Sequence, residues 1–203
     1  MNNYEYIAAC LPVISLDAAA SERFDADAVI ADIRGQLSDK DTAILDGFLA
    51  GYSSEAQDAA YYLSASRSGS RFVREWSAFD LNVRNAKVLY LNRELGRPAE
   101  QDTVRPDGED GGFDFDERER VDGILARGDL LVRERMLDAL YWEKAEELTA
   151  FDIFDIDMIL GFVARLKIVD RWNKLDPETG KELFRKLVEG IRSTYDNKKQ
   201  NYI

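Results

Sequence analysis

Residues 71–95 carry the pattern that most constrains the fold. Large apolar side chains recur at alternating spacings of four and three residues: Phe72, Trp76, Phe79, Val83, Ala86 and Tyr90. This spacing predicts one face of a helix. A second apolar strip lies about a third of a turn away at 100° per residue and contains Val73, Leu81, Val88, Leu91 and Leu95. A helix that is apolar over so wide an arc packs between neighbours, so we expect it at the centre of a helical core.

Further helix signals divide the rest of the chain. Gly96 and Pro98 predict the end of the long helix. Asp25 and Ser38 predict N-caps ahead of apolar segments, and Ser53-Ser54 predicts the start of a short helix that ends before a loop at 64–70. Helices are also expected at about 114–127, 129–149 and 155–174, and after Asp176-Pro177. The predicted fold class is all-α, a compact multi-helix bundle.

One segment interrupts this helical pattern. Residues 99–116 contain Pro106, several glycines and many acids, which is typical of a linker or long loop. We therefore expect an N-terminal helical lobe (1–98), an acidic glycine-rich loop (99–116) and a C-terminal helical lobe (117–203). The two lobes either pack closely against each other or form a single domain.

The absence of histidine limits the chemistry of the chain. No Ser-His-Asp or Cys-His arrangement and no histidine-containing zinc site can be built. Thr179-Gly180-Lys181 has the end of a phosphate-binding loop, but Leu175 and Glu182 stand where that motif needs glycine and Ser or Thr. We expect no catalytic residue, no cofactor and no metal site.

Charge and apolar runs bear on partners and location. A net charge of −12 argues against nucleic acid and anionic lipid as main partners and favours protein partners. The single cysteine, Cys10, excludes an internal disulfide, and we expect it to be buried as a small apolar residue. The longest uncharged apolar run of the C-terminal half, Met158–Ala164, is too short to span a bilayer. The expected location is the cytoplasm, with any contact to the membrane made through partners.

Three polar residues on the long helix form the first candidate site. Asp80, Arg84 and Lys87 lie in the arc between its two apolar strips, and the spacing of Asp80 and Arg84 favours an ion pair. A structural bridge at a helix seam is the favoured interpretation. The functional alternative is a docking point for a partner, with Asp80, Arg84 and the adjacent Asn85 as contact residues.

The acidic loop is the second candidate site. Residues 102–122 hold nine acids and three arginines, a net of −6. A calcium loop starting at Asp107 would place Gly111 at position 5 and Arg118 at position 12, so the calcium motif does not fit. A solvated loop is favoured. Capture of a basic partner is the alternative, through Asp107, Glu109, Asp110, Asp114 and Asp116.

Asp152, Asp155 and Asp157 alternate with apolar residues just before the second core helix. Acids are expected at the start of a helix because they compensate the helix dipole. A carboxylate-based divalent-metal or hydrolytic enzyme that uses these three residues or the acidic loop remains the rival hypothesis.

Two blocks of the chain resemble an uncharacterised bacterial family whose genes lie among those of bacterial V-type ATPases. The N-terminal block is Tyr4-Glu5-Tyr6-Ile7-Ala8-Ala9-Cys10-Leu11-Pro12. The C-terminal block runs from Leu166 to Leu175 and continues with Gly180–Phe184. The segment Trp76–Arg97, with Asp80, Arg84-Asn85 and Gly96-Arg97, is also similar to the helix pattern of the V-type ATPase socket protein.

The resemblance implies a structural role without an active site. The socket protein is the all-helical component that joins the central stalk to the membrane ring, so the expected partners are stalk or ring proteins of the ATPase. This chain is much shorter than a full socket protein, and its acidic loop has no counterpart there. A helical regulatory adaptor unrelated to ATPases is a further alternative.

Overall fold

The computed structural model describes residues 3–16, 25–53, 58–106 and 115–174. These residues form eight α-helices and no strand, which confirms the predicted all-α class. The helices are α1 (Tyr4–Cys10), α2 (Ala26–Arg34), α3 (Asp39–Ala50), α4 (Ala59–Ser66), α5 (Arg71–Glu94), α6 (Arg118–Leu125), α7 (Leu130–Thr149) and α8 (Ile156–Lys174). The expected helix after Asp176 lies outside the described residues.

The long predicted helix is α5, and its aromatic strip is the buried one. Every member of that strip from Phe72 to Ala86 is buried, and Tyr90 is half-buried. The second strip differs from the prediction, because only Val73 is buried and Leu91 and Leu95 are exposed. The last turns of α5 therefore project beyond the helices that cover its beginning.

Two hydrophobic clusters make up the core, and both α5 and α7 pass through them. The larger cluster combines α1, α2, α3 and α8 with the first half of α5 and the last turns of α7. The smaller cluster combines the second half of α5 with α6 and the first half of α7. Tyr141 of α7 packs against both clusters, so the two clusters meet at this residue.

The predicted caps are present, and one helix start is corrected. The carboxylate of Asp25 accepts from the backbone N–H groups of Asp27 and Ala28, and Ser38 caps α3 through the N–H of Asp41. Helix α4 begins at Ala59, with Asp58 rather than Ser53 or Ser54 as its cap. It continues to Ser66, so the predicted loop at 64–70 is shorter than expected.

The start of α5 is fixed by a carboxylate from another helix. Oδ1 of Asp157 accepts from the Ser70 hydroxyl at 2.6 Å, and Oδ2 accepts from the Phe72 N–H at 3.2 Å. The Ser70 hydroxyl oxygen in turn accepts from the Val73 N–H at 3.0 Å. Buried donors at a helix start need such partners. Asp157 thus joins the first turns of the two core helices, α5 and α8.

The end of α5 has the predicted glycine stop. Gly96 has φ +63°, a conformation that favours glycine. Its N–H bonds to the Arg93 carbonyl, and the Arg97 N–H bonds to the Asn92 carbonyl, which is the Schellman arrangement. The Asn92 side chain also donates to the carbonyls of Ala99 and Gln101, so the segment after the helix is held beside it.

Cys10 corrects another expectation. It is exposed at the end of α1 instead of buried. The buried residue of this short helix is Ile7.

Replacing the buried cap is expected to destabilise the fold. Asp157→Ala leaves the Phe72 N–H and the Ser70 hydroxyl without their acceptor. We expect a loss of roughly 1.5–3 kcal/mol in the free energy of unfolding, measured by urea denaturation. Asp32→Ala, at an exposed position of α2, is the control and should change it by less than about 0.5 kcal/mol. Equal effects of the two substitutions would contradict the cross-helix cap.

Candidate functional site

A pocket of about 340 Å³ opens where the two core clusters meet. Helix α5 supplies one wall with residues spaced three and four apart, and α7, α8, α4 and the end of α3 supply the others. Its lining residues are Gly51, Tyr52, Tyr61, Trp76, Ser77, Asp80, Arg84, Lys87, Asp138, Tyr141, Lys167, Ile168 and Arg171. Aromatic rings, four cations and two carboxylates thus share one concave site.

Asp80 is bound by two phenols that come from different helices. The Tyr62 hydroxyl donates to Oδ2 at 2.7 Å, and the Tyr141 hydroxyl donates to Oδ1 at 2.8 Å. Each carboxylate oxygen therefore has a donor, which is what a partly buried carboxylate requires. The rings of Trp76 and Phe79 pack on Tyr141, with centroids 5.6 and 5.2 Å away, and fix its orientation.

The phenols around this carboxylate resist ionisation. Burial first, and then the negative charge of Asp80, raise the pKa of Tyr61 from 10.0 to about 12. The same two causes raise the pKa values of Tyr62 and Tyr141 well above 10.0. The nearby Arg84 guanidinium acts in the opposite direction on the pKa of Tyr62. At neutral pH these tyrosines are therefore neutral hydrogen-bond donors.

A glycine gives Tyr61 its place in the pocket wall. A Cβ atom at Gly51 would lie 2.0 Å from the Tyr61 hydroxyl oxygen. Any larger residue at position 51 must push the Tyr61 ring aside. Since both residues line the pocket, such a substitution changes its shape.

The second carboxylate of the pocket, Asp138, joins α7 to α8. It is buried, and it accepts from the Arg171 guanidinium and from the Trp172 indole N–H, each at 2.5 Å. These two donors belong to the Leu166–Leu175 block that carries the family resemblance. Within the described residues, the Arg-Trp pair of that block therefore holds α8 against α7.

The remaining pocket cations are weakly paired. Nζ of Lys167 lies 3.6 Å from the carboxylate of Asp27, which is mostly exposed and therefore screened by solvent. Lys87 makes no ion pair with any of the residues that the structure describes. Arg84 lines the same wall one turn before Lys87.

The structure brings together two of the residues that the sequence singled out and separates the others. Asp80 and Arg84 share the pocket with Lys87. Asn85 is buried elsewhere, where it donates to the Val104 carbonyl at 3.0 Å and accepts from the Val104 N–H at 2.9 Å. These two bonds hold the segment after α5 against the helix. The ion pair between Asp80 and Arg84 stays a prediction.

Most of the acidic loop lies outside the described residues. This applies to Asp107, Glu109, Asp110 and Asp114. Asp116 is exposed just before α6. The proposed capture of a basic partner by these acids stays a prediction.

The three acids before α8 each bind a different protein group. Asp152 accepts from the Arg71 guanidinium at 2.6 Å, Asp155 accepts from the Met158 N–H at 2.9 Å, and Asp157 caps α5. Burial and the charge of Asp155 raise the pKa of Asp152, and the Arg71 charge opposes them. In the described segments, no group of three acidic or cysteine side chains is suited to holding a metal ion. None of the described helices combines the length and apolar character needed to cross a bilayer.

Sequence reasoning missed the residues that complete the pocket from other helices: Tyr61, Tyr62, Asp138, Tyr141, Lys167 and Arg171. The available signal was weak. Tyrosines on an apolar face need a partner for the hydroxyl group, and Asp80 is the acid nearest to the centre of the apolar arc.

Comparison with known proteins finds one family match. The model of a family described as a protein of unknown function (DUF2764) matches residues 112–194. This stretch includes α6, α7 and α8, and hence Asp138, Tyr141, Lys167 and Arg171 of the pocket. The family description names no ATPase and no partner. No curated protein and no solved structure matches the chain.

Removing the charge of Asp80 is expected to make the surrounding tyrosines titrate earlier. In Asp80→Asn the carboxylate no longer opposes phenol ionisation, so the tyrosinate signal in ultraviolet difference spectra should rise at lower pH. Tyr61→Phe identifies the contribution of Tyr61. An unchanged titration curve would contradict the contact between Asp80 and the phenols.

The tyrosine pKa values also set the stability at high pH. An unfolded chain releases the Tyr61 proton near pH 10, whereas the folded chain retains it to about pH 12. The free energy of unfolding should therefore fall as the pH rises from about 10 to about 12. Urea denaturation across this range, compared between wild type and Tyr61→Phe, measures the effect, and the variant should lose less stability.

Proposed function

We propose that the chain is a non-catalytic structural or assembly component of a bacterial V-type ATPase. The role resembles that of the socket protein between the central stalk and the membrane ring. In this proposal the protein lies in the cytoplasm and reaches the inner face of the membrane only through its partners. The resemblance of the N-terminal and C-terminal blocks supplies the ATPase context.

The observation that carries the interaction role is an exposed apolar turn between α7 and α8. Phe151, Ile153 and Phe154 are 94%, 68% and 53% exposed. Apolar side chains grouped on the surface favour contact with another protein because burying them releases ordered water. We call these three residues the apolar turn.

The base of the apolar turn is held in place by polar contacts. The Arg71 guanidinium donates both to the Leu148 carbonyl at 2.7 Å and to the Asp152 carboxylate at 2.6 Å. Asp155 binds the first turn of α8 on the other side. A turn fixed in this way loses little conformational entropy when a partner covers it, which favours binding.

Direct binding to purified ATPase proteins tests the proposal. The full chain is immobilised and presented separately with the stalk proteins and with the ring proteins of the same bacterium. Binding of either group supports the proposal. Failure to bind both groups overturns it, and specific binding of an unrelated regulatory protein would favour the adaptor alternative.

Serine substitutions in the apolar turn are expected to weaken partner binding. The triple variant Phe151→Ser, Ile153→Ser and Phe154→Ser should lower the affinity at least about tenfold, because the buried apolar area is lost. Leu91→Ser with Leu95→Ser removes similarly exposed apolar side chains from the end of α5 and serves as the matched control. The same affinity in both variants and wild type would exclude the apolar turn as the contact surface.

A further inference from the structure

The pocket at the meeting point of the two clusters has the composition of a small-molecule site. We infer that it binds a small organic anion, a carboxylate or a phosphate ester attached to a planar ring. This inference goes beyond the assembly role, because it concerns a ligand and does not depend on any protein partner.

Charge is the first argument. Four cations line the pocket together with two carboxylates, in a chain whose net charge is −12. Both carboxylates already have donors: Asp80 has two phenols, and Asp138 has Arg171 and Trp172. A local excess of positive charge inside an acidic protein attracts an anion that the rest of the surface repels.

The two lysines are the groups that an anion would contact. Lys87 has no ion pair among the described residues, and Lys167 has only the solvent-exposed Asp27 as its carboxylate neighbour there. Lysine ammonium groups bind carboxylate and phosphate oxygens as mobile point charges. An anion between them gains two charge-assisted contacts without breaking a buried pair.

The walls supply the second recognition element. Tyr52, Tyr61, Trp76 and Tyr141 contribute aromatic surface to the pocket. Flat rings pack favourably against such surfaces in offset or edge-to-face geometry. The floor contributes the Asp80 oxygens, which can accept a further hydrogen bond from a ligand hydroxyl or amine.

Size favours a small molecule over a protein segment. The volume of about 340 Å³ is at the lower end of the range of roughly 300–1,000 Å³ that is usual for ligand pockets. The pocket is bounded by helices on several sides. A helix or strand of a partner needs a longer groove than this.

The test is binding of four probes to the full chain by calorimetry and by tryptophan fluorescence. Phenyl phosphate and benzoate carry both a ring and an anion, whereas inorganic phosphate and phenol each carry one of these parts. We expect saturable binding of phenyl phosphate or benzoate, at least about tenfold tighter than either part alone. The difference between phenyl phosphate and benzoate decides whether phosphate or carboxylate is preferred.

Variants locate the binding. Lys87→Gln and Lys167→Gln should each weaken binding of the ring-bearing anion at least about fivefold. Lys40→Gln, an exposed lysine of α3, is the matched control and should leave it unchanged. Gly51→Ala should weaken binding of the ring-bearing anion more than that of inorganic phosphate, because it displaces the Tyr61 ring. Circular dichroism checks that each variant is folded.

Three results would overturn the inference. They are no saturable binding of either ring-bearing anion, binding that both lysine variants leave intact, and binding of inorganic phosphate as tight as that of phenyl phosphate. Tight binding of an acidic peptide in the absence of small-anion binding would also overturn it and would identify the pocket as a protein docking point.

Discussion

The contact of Asp80 with two tyrosines is the interaction on which the centre of this structure depends. The carboxylate comes from α5, and its donors come from α4 and α7, so one side chain joins three helices. The contact lies where the larger and smaller clusters meet. A charge held by neutral donors in a partly buried place needs all of its partners, because loss of one leaves part of the desolvation cost uncompensated. Helix packing at this point is therefore constrained by polar geometry as well as by apolar contact.

Local patterns in the sequence were sufficient to predict much of the fold. The aromatic spacing from Phe72 to Tyr90 predicted α5, and Gly96 predicted its end, because period and glycine conformation are properties of short segments. The caps at Asp25 and Ser38 were predicted for the same reason. The start of α4 was wrong, since serines and aspartates are alternative caps and only the structure shows that Asp58 is used. Burial of Cys10 was also wrong, since a short helix has a face that no neighbour covers.

The candidate site was accessible from sequence only on one helix. Asp80, Arg84 and Lys87 were recognised because they interrupt an apolar arc within a few turns. Their neighbours Tyr141 and Lys167 lie more than fifty residues away along the chain, and no local periodicity reports such contacts. Asn85 shows the converse problem. It is adjacent to Arg84 in sequence, but one residue of rotation about the helix directs it to the Val104 backbone and away from the pocket.

Arg71 gives α5 a mechanical role that its sequence alone does not indicate. Its guanidinium holds the base of the apolar turn, and Asp80, nine residues later, faces the pocket, which places the two about 13 Å apart along the helix axis. An unbroken helix moves as a stiff rod over this distance, so a shift at one end displaces the other. If a molecule in the pocket favours one position of that rod, it changes the affinity of whatever covers the turn, and by thermodynamic reciprocity the covering protein changes the affinity of the pocket by the same factor.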